Sequence, residues 1–212
     1  TFGHRTHYLS ARESSSTLVG VLPLIQLRSR MFGNMLVSLP FFNYGGICAE
    51  ADEARHALLD SAIALARQER VDFIEIRHDD DGQPWQRDLR KKGAKVSMRL
   101  SLPASADELW KSLGSKLRNQ VQRPRKEGMT AVVGGEDLLD GFYDVFSANM
   151  RDLGTPVYPK RFFRNILRQF PSRTWIVSVY SGDTTVACGV IDAFRDRIEI
   201  PWASSLRRHN GF

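Results

Sequence analysis

The sequence predicts an α/β protein, an α+β arrangement with mixed sheets, and three observations carry that prediction. Strand-length apolar runs flank one clear amphipathic helix in the first half. The second half reads helix, strand, helix, helix, then three consecutive strands. Those last strands are joined by two short polar connectors, Ser181-Gly182-Asp183 and Arg195-Asp196-Arg197, which suit antiparallel neighbours.

In chain order, residues 7–13 and 17–27 read as two strands joined by the turn-prone Ser14-Ser15-Ser16. Pro23 suggests an edge strand or a bulge in the second. Residues 35–42 are another apolar run of strand length, ending in Asn43-Tyr44-Gly45-Gly46, whose glycines allow close backbone approach. Ala54, Ala57, Leu58, Ala62, Leu65 and Ala66 recur at helical spacing, which predicts a helix from Asp52, its N-cap, to about Gln68. Val71 to Arg77 alternates as a strand, His78 to about Gly82 is a polar loop, and Lys95 to Leu102 alternates again before Pro103.

The character changes at Ser105, where Ser105-Ala106-Asp107-Glu108 offers a capped helix start. A short strand is expected near Thr130–Val133, a strong amphipathic helix from Glu136 to Leu153 with Gly154 as its stop, and a further helix from Lys160 to Phe170. Trp175–Tyr180, Thr185–Phe194 and Ile198–Ser205 are the three closing strands. The halves divide into domains 1–104 and 105–212.

Composition excludes several classes. The chain has 212 residues, 42% of them hydrophobic and 25% charged, as ordinary globular proteins do. No apolar run approaches the ~20 residues that span a bilayer. Cys48 and Cys188 lie far apart in apolar surroundings and read as buried packing residues, with a reducing cytoplasm as the expected compartment. Ser-His-Asp hydrolysis has no G-x-S-x-G signature, metal chemistry no H-E-x-x-H or clustered ligands, and nucleotide hydrolysis no phosphate loop.

The formal charge of +6 points to an anionic ligand. It concentrates between Lys111 and Lys126, a stretch with six Lys or Arg and no acidic residue. On a helix beginning near Asp107, Lys116, Asn119, Gln120 and Arg123 share one face, with Arg118 nearby. Arginine forks and side-chain amides together suit a phosphate-bearing ligand. Pro124 is expected to end or kink that helix, placing Arg125 and Lys126 in a bend. Elsewhere, Tyr158 follows the helix stop and could bond a substrate hydroxyl or act as a weak acid. Glu199 is the only carboxylate near Trp202, Ser204 and Ser205. Beside an indole its pKa would rise, suiting it to act as a general base.

Several segments together resemble a known family. They are Gly20-Val21-Leu22-Pro23-Leu24, Leu36 to Phe41 with Asn43-Tyr44-Gly45-Gly46, Lys116-Leu117-Arg118-Asn119-Gln120, Asn149 to Tyr158, and Glu199 to Ser205. They resemble the FemAB-like proteins associated with bacterial exosortase/PEP-CTERM and exopolysaccharide gene clusters. The resemblance implies tandem GNAT-like (N-acyltransferase) domains, the first incomplete at its N-terminus and the second truncated at its C-terminus. It implies a donor that is acyl-CoA or aminoacyl-tRNA, no metal, and an acceptor that is a glycan or cell-envelope precursor. Transfer in such folds is direct, with a strand bulge presenting a backbone N–H to the acyl carbonyl.

Carried over by residue, the resemblance makes Glu199, Ser205 and Tyr158 candidate catalytic groups. Lys116, Arg118, Asn119, Arg123, Trp202, Ser204 and Arg207 become candidate substrate contacts, and Tyr44 with its two glycines a matching turn in the first domain. Arg208-His209-Asn210-Gly211 partly matches an Arg/Gln-x-x-Gly-x-Gly/Ala pyrophosphate loop. A coiled-coil insertion of the kind some tRNA-using members carry is not visible. The rival expectations are a non-catalytic module of the same fold that binds an anionic glycan or precursor, and RNA binding without catalysis.

Overall fold

The computed structural model describes residues 1–79, 89–93 and 96–209. The chain divides into two compact units, Phe2–Arg99 and Leu100–Phe212, the latter joined by Thr1.

In the first unit, β1 (Arg5–Arg12), β2 (Leu18–Ser29), β3 (Gly33–Val37) and β5 (Phe73–Glu75) lie in that order, and β4 (Cys48–Ala49) also pairs with β2. The strands β1, β2 and β3 run antiparallel, whereas β3 and β5 are parallel, linked through helix α1 (Asp52–Gln68). Strict alternation buries Leu22 and Leu24 of β2 against Leu58, Leu59 and Ala62 of α1. Pro23 sits at neither an edge nor a bulge. It lies where β2 lacks a partner on one side, since β4 pairs with Gly20 and Val21 while β3 begins at Ile25. A residue without an N–H is tolerated in that gap.

Four sequence expectations fail in this unit. The 35–42 run stops as a strand at Val37, because Leu39 turns the chain with φ 44°. Asp52 is the first helical residue rather than the N-cap. Ala51 holds that place without a side-chain bond, and Asp52 instead pairs with Arg55 at 2.7 Å. The 71–77 strand shortens to Phe73–Glu75, the stretch that pairs with β3. Over Lys95–Leu102, Lys95 lies outside the described residues and 96–102 form no strand. Val96 and Met98 are 83% and 90% exposed, since alternation makes a strand only where a neighbouring strand supplies its bonds.

The second unit opens with α2 (Ala106–Ser112), capped as expected by Ser105, whose hydroxyl accepts from the Glu108 amide at 3.2 Å. The basic segment does not continue that helix. Leu113 is extended (ψ 135°), Gly114 caps a new helix, and α3 runs Ser115–Lys126. Pro124 lies inside its last turn, with Arg125 and Lys126 still helical. The helix ends at its cap Glu127, followed by Gly128, whose φ of 79° lets the Met129 amide bond back to the Pro124 carbonyl.

The strands β6 (Thr130–Gly134), β7 (Thr174–Ser181), β8 (Thr184–Phe194) and β9 (Arg197–Ser205) form an antiparallel sheet in sequence order. Helices α4 (Leu139–Asp152, after a 3-10 turn at Glu136–Leu138) and α5 (Lys160–Gln169) cover one face. Phe142, Val145 and Phe146 of α4, with Phe163 and Leu167 of α5, bury against Ile176, Val190 and Trp202. Gly154 ends α4 as predicted. At φ 66° it donates to the Arg151 carbonyl, and Thr155 reaches the Met150 carbonyl at 2.9 Å.

Two stability predictions follow from this packing. Arg70 holds the left-handed position after α1 (φ 51°) that glycine holds after α3 and α4. Arg70→Gly should raise the free energy of unfolding by about 0.5–1 kcal/mol, read from urea midpoints. The Ser178 hydroxyl is fully buried and finds no hydrogen-bond partner among the described residues. Ser178→Ala should stabilise by about 1 kcal/mol in the same assay, and a loss of stability would show that the hydroxyl is satisfied.

Candidate functional site

A cleft in the second unit lies between β9 and the connection from α4 to α5. Phe146, Met150, Thr155, Pro156 and Tyr158 form one wall, and Pro201, Trp202 and Ala203 the other, around a space of about 150 Å³. A bulge shapes the strand wall. Val190 pairs with Trp202 and Asp192 with Glu199, so the single residue between them in β8 faces two in β9, Ile200 and Pro201. Pro201 belongs at such a point, because a bulged residue forgoes a ladder bond that proline could not make. Among the described residues β9 has a neighbouring strand on one side only, so alternate backbone amides point away from β8.

Trp202 is 7% exposed and meets the rings of Phe162, Phe163 and Tyr158 edge-on at 5.5, 5.3 and 6.4 Å. Only a margin of the indole reaches the cleft. Tyr158 is held on both sides: its ring packs on Phe146 and Phe162, and its carbonyl accepts from the Tyr143 hydroxyl at 3.1 Å.

The structure therefore brings together Tyr158 and Trp202 among the sequence-predicted residues. Ser204 lies buried behind the strand wall, where its hydroxyl accepts from the Asn149 amide at 3.1 Å. Ser205 is half-buried at the end of β9, paired with Ala187. Arg207 follows in a 3-10 turn and donates to the Asp152 carbonyl at 2.9 Å, closing the carboxyl end of α4. Asn210 and Gly211 of the loop matched in the sequence lie outside the described residues.

Glu199 is not among the residues lining the cleft. It sits across the bulge, directly opposite Asp192. Asp192 is itself a perturbed carboxyl. Burial pushes its pKa above the ordinary 3.8 and the Glu199 charge adds to this, while a 2.8 Å bond from the Thr174 hydroxyl opposes them.

Lys116, Arg118, Asn119 and Arg123 lie along α3, and none of them lines this cleft. Lys116, Asn119 and Arg123 are exposed. Arg123 is paired with Glu127 at 3.1 Å, just past the unbroken cationic stretch, and Arg118 donates to the Lys111 carbonyl.

Tyr44 belongs to a separate cavity of about 350 Å³ in the first unit, lined by Tyr44 to Ala49, Arg55 and Arg77 to Asp79. Its hydroxyl meets Ser97 Oγ at 2.5 Å. Arg77 organises this cavity by donating to the Pro40 and Phe42 carbonyls and to Glu75. Burial raises the Glu75 pKa, but the bonds and charges of Arg77 and Lys92 outweigh it and leave it lowered.

The two cysteines differ. Cys188 is buried, its thiol pKa pushed up to about 12 by desolvation, and packs as expected, whereas Cys48 is exposed at the cavity of the first unit. Among the described residues, no group of His, Cys, Asp or Glu side chains could hold a metal ion, and no helix is long and apolar enough to cross a membrane.

In the second unit the α4–α5 layer thus covers an antiparallel sheet whose bulged strand β9 faces the loop between the helices. Residues 115–211 match the acetyltransferase (GNAT) domain family. Over 99% of its length the chain also superposes on a solved structure, the "Crystal structure of FemX", covering 73% of that chain with a TM-score of 0.67 at 14% identity. The chain thus has a FemX-like fold, and its residues 115–211 are similar to the GNAT acetyltransferase domain family. No curated protein matches it in sequence.

Sequence reasoning missed Met150, Thr155, Pro156 and Pro201 as cleft residues and Asn149 behind them. Pro201 carried a usable signal, since proline inside an otherwise apolar strand marks a bulge or an edge.

The Asp192 environment gives a pH prediction. A carboxyl whose pKa is higher folded than unfolded makes the folded state bind the proton more tightly. Its contribution to stability then falls as pH rises from about 3.8 through the folded value and stays low above it. Asp192→Asn should keep the Thr174 bond, remove that fall and leave the variant more stable than wild type at pH 7. Urea midpoints across a pH series should show the two curves converging at acid pH.

Proposed function

We propose that this chain is an N-acyltransferase that moves an acyl or aminoacyl group by direct attack. The donor is acyl-CoA or aminoacyl-tRNA, and the acceptor is a cell-envelope or exopolysaccharide precursor. The single observation that carries this reading is the bulged edge strand β9 lining a cleft within the segment that matches the GNAT family. The FemX-like fold supports it, as does the parallel β3–α1–β5 arrangement of the first unit, which we take as a second GNAT-like domain. The resemblance to FemAB-like proteins of exosortase/PEP-CTERM clusters supports a cytoplasmic reaction, with the protein peripheral to the inner membrane.

In this mechanism the outward amides of β9 at the bulge receive the acyl carbonyl oxygen and stabilise the negative charge that develops on it. The acceptor nucleophile attacks the carbonyl carbon, and the donor's thiol or ribose hydroxyl leaves. The Tyr158 hydroxyl, on the loop across from the bulge, donates to the departing group, and Glu199 takes the acceptor's proton. Ser205 and Arg207, where β9 ends, contact the donor. The exposed cations of α3, Lys116 and Arg123 foremost, engage its phosphates or those of the acceptor.

The experiment is a mass-spectrometric search for an acylated product in extracts of the bacterial envelope supplied with acyl-CoA or charged tRNA. Transfer from neither donor overturns the reading. Glu199→Gln should lower kcat by about 100-fold or more with donor affinity retained. A variant that keeps full turnover removes Glu199 from the mechanism. Lys116→Ala with Arg123→Ala should weaken binding of the anionic donor about tenfold and flatten its salt dependence, and unchanged affinity would exclude α3 as the phosphate contact.

A further inference from the structure

Asn149 stands where the pattern of α4 calls for a hydrophobic residue. Leu139, Phe142, Val145 and Phe146 are buried along the face that meets the sheet, and Asn149 continues that face seven residues after Phe142. Its amide donates to Ser204 Oγ, which is itself buried.

Two further polar ties join the same helix to the same end of the sheet. The Cys188 thiol, in β8 directly opposite Ser204, meets the Phe142 carbonyl at 3.6 Å, and Arg207 closes on the Asp152 carbonyl. Asn149 is the one of these ties that borders the cleft on both sides. Phe146 and Met150, which flank it on α4, line one wall, and Ala203, next to Ser204, lines the other.

A leucine facing an alanine would bury as much apolar surface here without desolvating an amide and a hydroxyl. The net gain from one such hydrogen bond is only about 1 kcal/mol. What the bond adds is direction. It fixes how far β9, with its bulge, stands from α4 and from the loop that carries Tyr158. A displacement of about 1 Å in such a setting can cost 100-fold in rate.

We propose that Asn149 is a positioning residue for acyl transfer, acting through Ser204 to set the spacing of the two cleft walls without touching substrate. This rests on the acyltransferase reading above, so the test carries one readout that is independent of it.

Asn149→Leu and Asn149→Asp would be compared with wild type in the full chain by urea denaturation, by hydrogen exchange of the 199–205 amides, and by transfer kinetics. The leucine variant should unfold at a similar midpoint yet exchange those amides about tenfold faster than wild type. Its kcat should fall about tenfold or more, with donor KM within about threefold. The aspartate can accept from the Ser204 hydroxyl and should restore most of the protection and turnover.

Wild-type protection and kcat in the leucine variant would overturn the proposal. So would a loss of stability that accelerates exchange throughout the unit, since Asn149 would then serve the fold as a whole. If wild type transfers nothing, the acyltransferase reading falls, and hydrogen exchange alone decides whether Asn149 braces the cleft.

Discussion

The edge-on packing of Trp202 against Phe162, Phe163 and Tyr158 is the contact on which the second unit's site depends. The four rings come from three places: Trp202 from the bulged strand β9, both phenylalanines from α5, and Tyr158 from the loop before it. Edge-to-face rings gain attraction from their quadrupoles beyond the area they bury, and they tolerate little rotation. Among the described residues β9 pairs with β8 alone, and this anchor from the helical layer helps to keep its bulge in one place. The same cluster makes one side of the cleft rigid and leaves only the margin of the indole available to a ligand.

Polar groups in this unit act against that apolar background. Asn149, Ser204, Cys188 and Thr174 all bond within the layer between helices and sheet, and each bond adds orientation more than stability. Asp192 shows the cost of placing a charge at the end of this layer beside a second carboxylate. The cationic helix α3 follows the opposite logic. Its side chains remain largely in water, where charges are cheap to keep and free to meet an anion.

Much of the fold was legible in the sequence. The helix over 52–68, the Ser105 cap, the Gly154 stop and the three closing strands all rest on local signals: periodicity, a capping hydroxyl, a glycine free to take positive φ. The failures are equally instructive. Residues 96–102 alternate well and still form no strand, because hydrogen bonds to a neighbour decide that state. The basic segment has the pattern of one helix, but Leu113 and Gly114 break it at a point that composition does not mark. At the cleft, Tyr158 and Trp202 are in ring contact, whereas Glu199, close to Trp202 along the chain, does not line it. The bulge between them shifts the register and pairs Glu199 with Asp192 instead.

By itself the sequence determined which stretches become helices and closing strands, and where the positive charge gathers. These follow from interactions within a few residues of one another. Only the tertiary structure decided that Pro201 marks a bulge, that Asn149 braces Ser204 across 55 positions of chain, and that Arg207 closes the end of α4. Such pairings join residues far apart in sequence, and their partners are selected by the register of strands and the packing of helices rather than by local pattern.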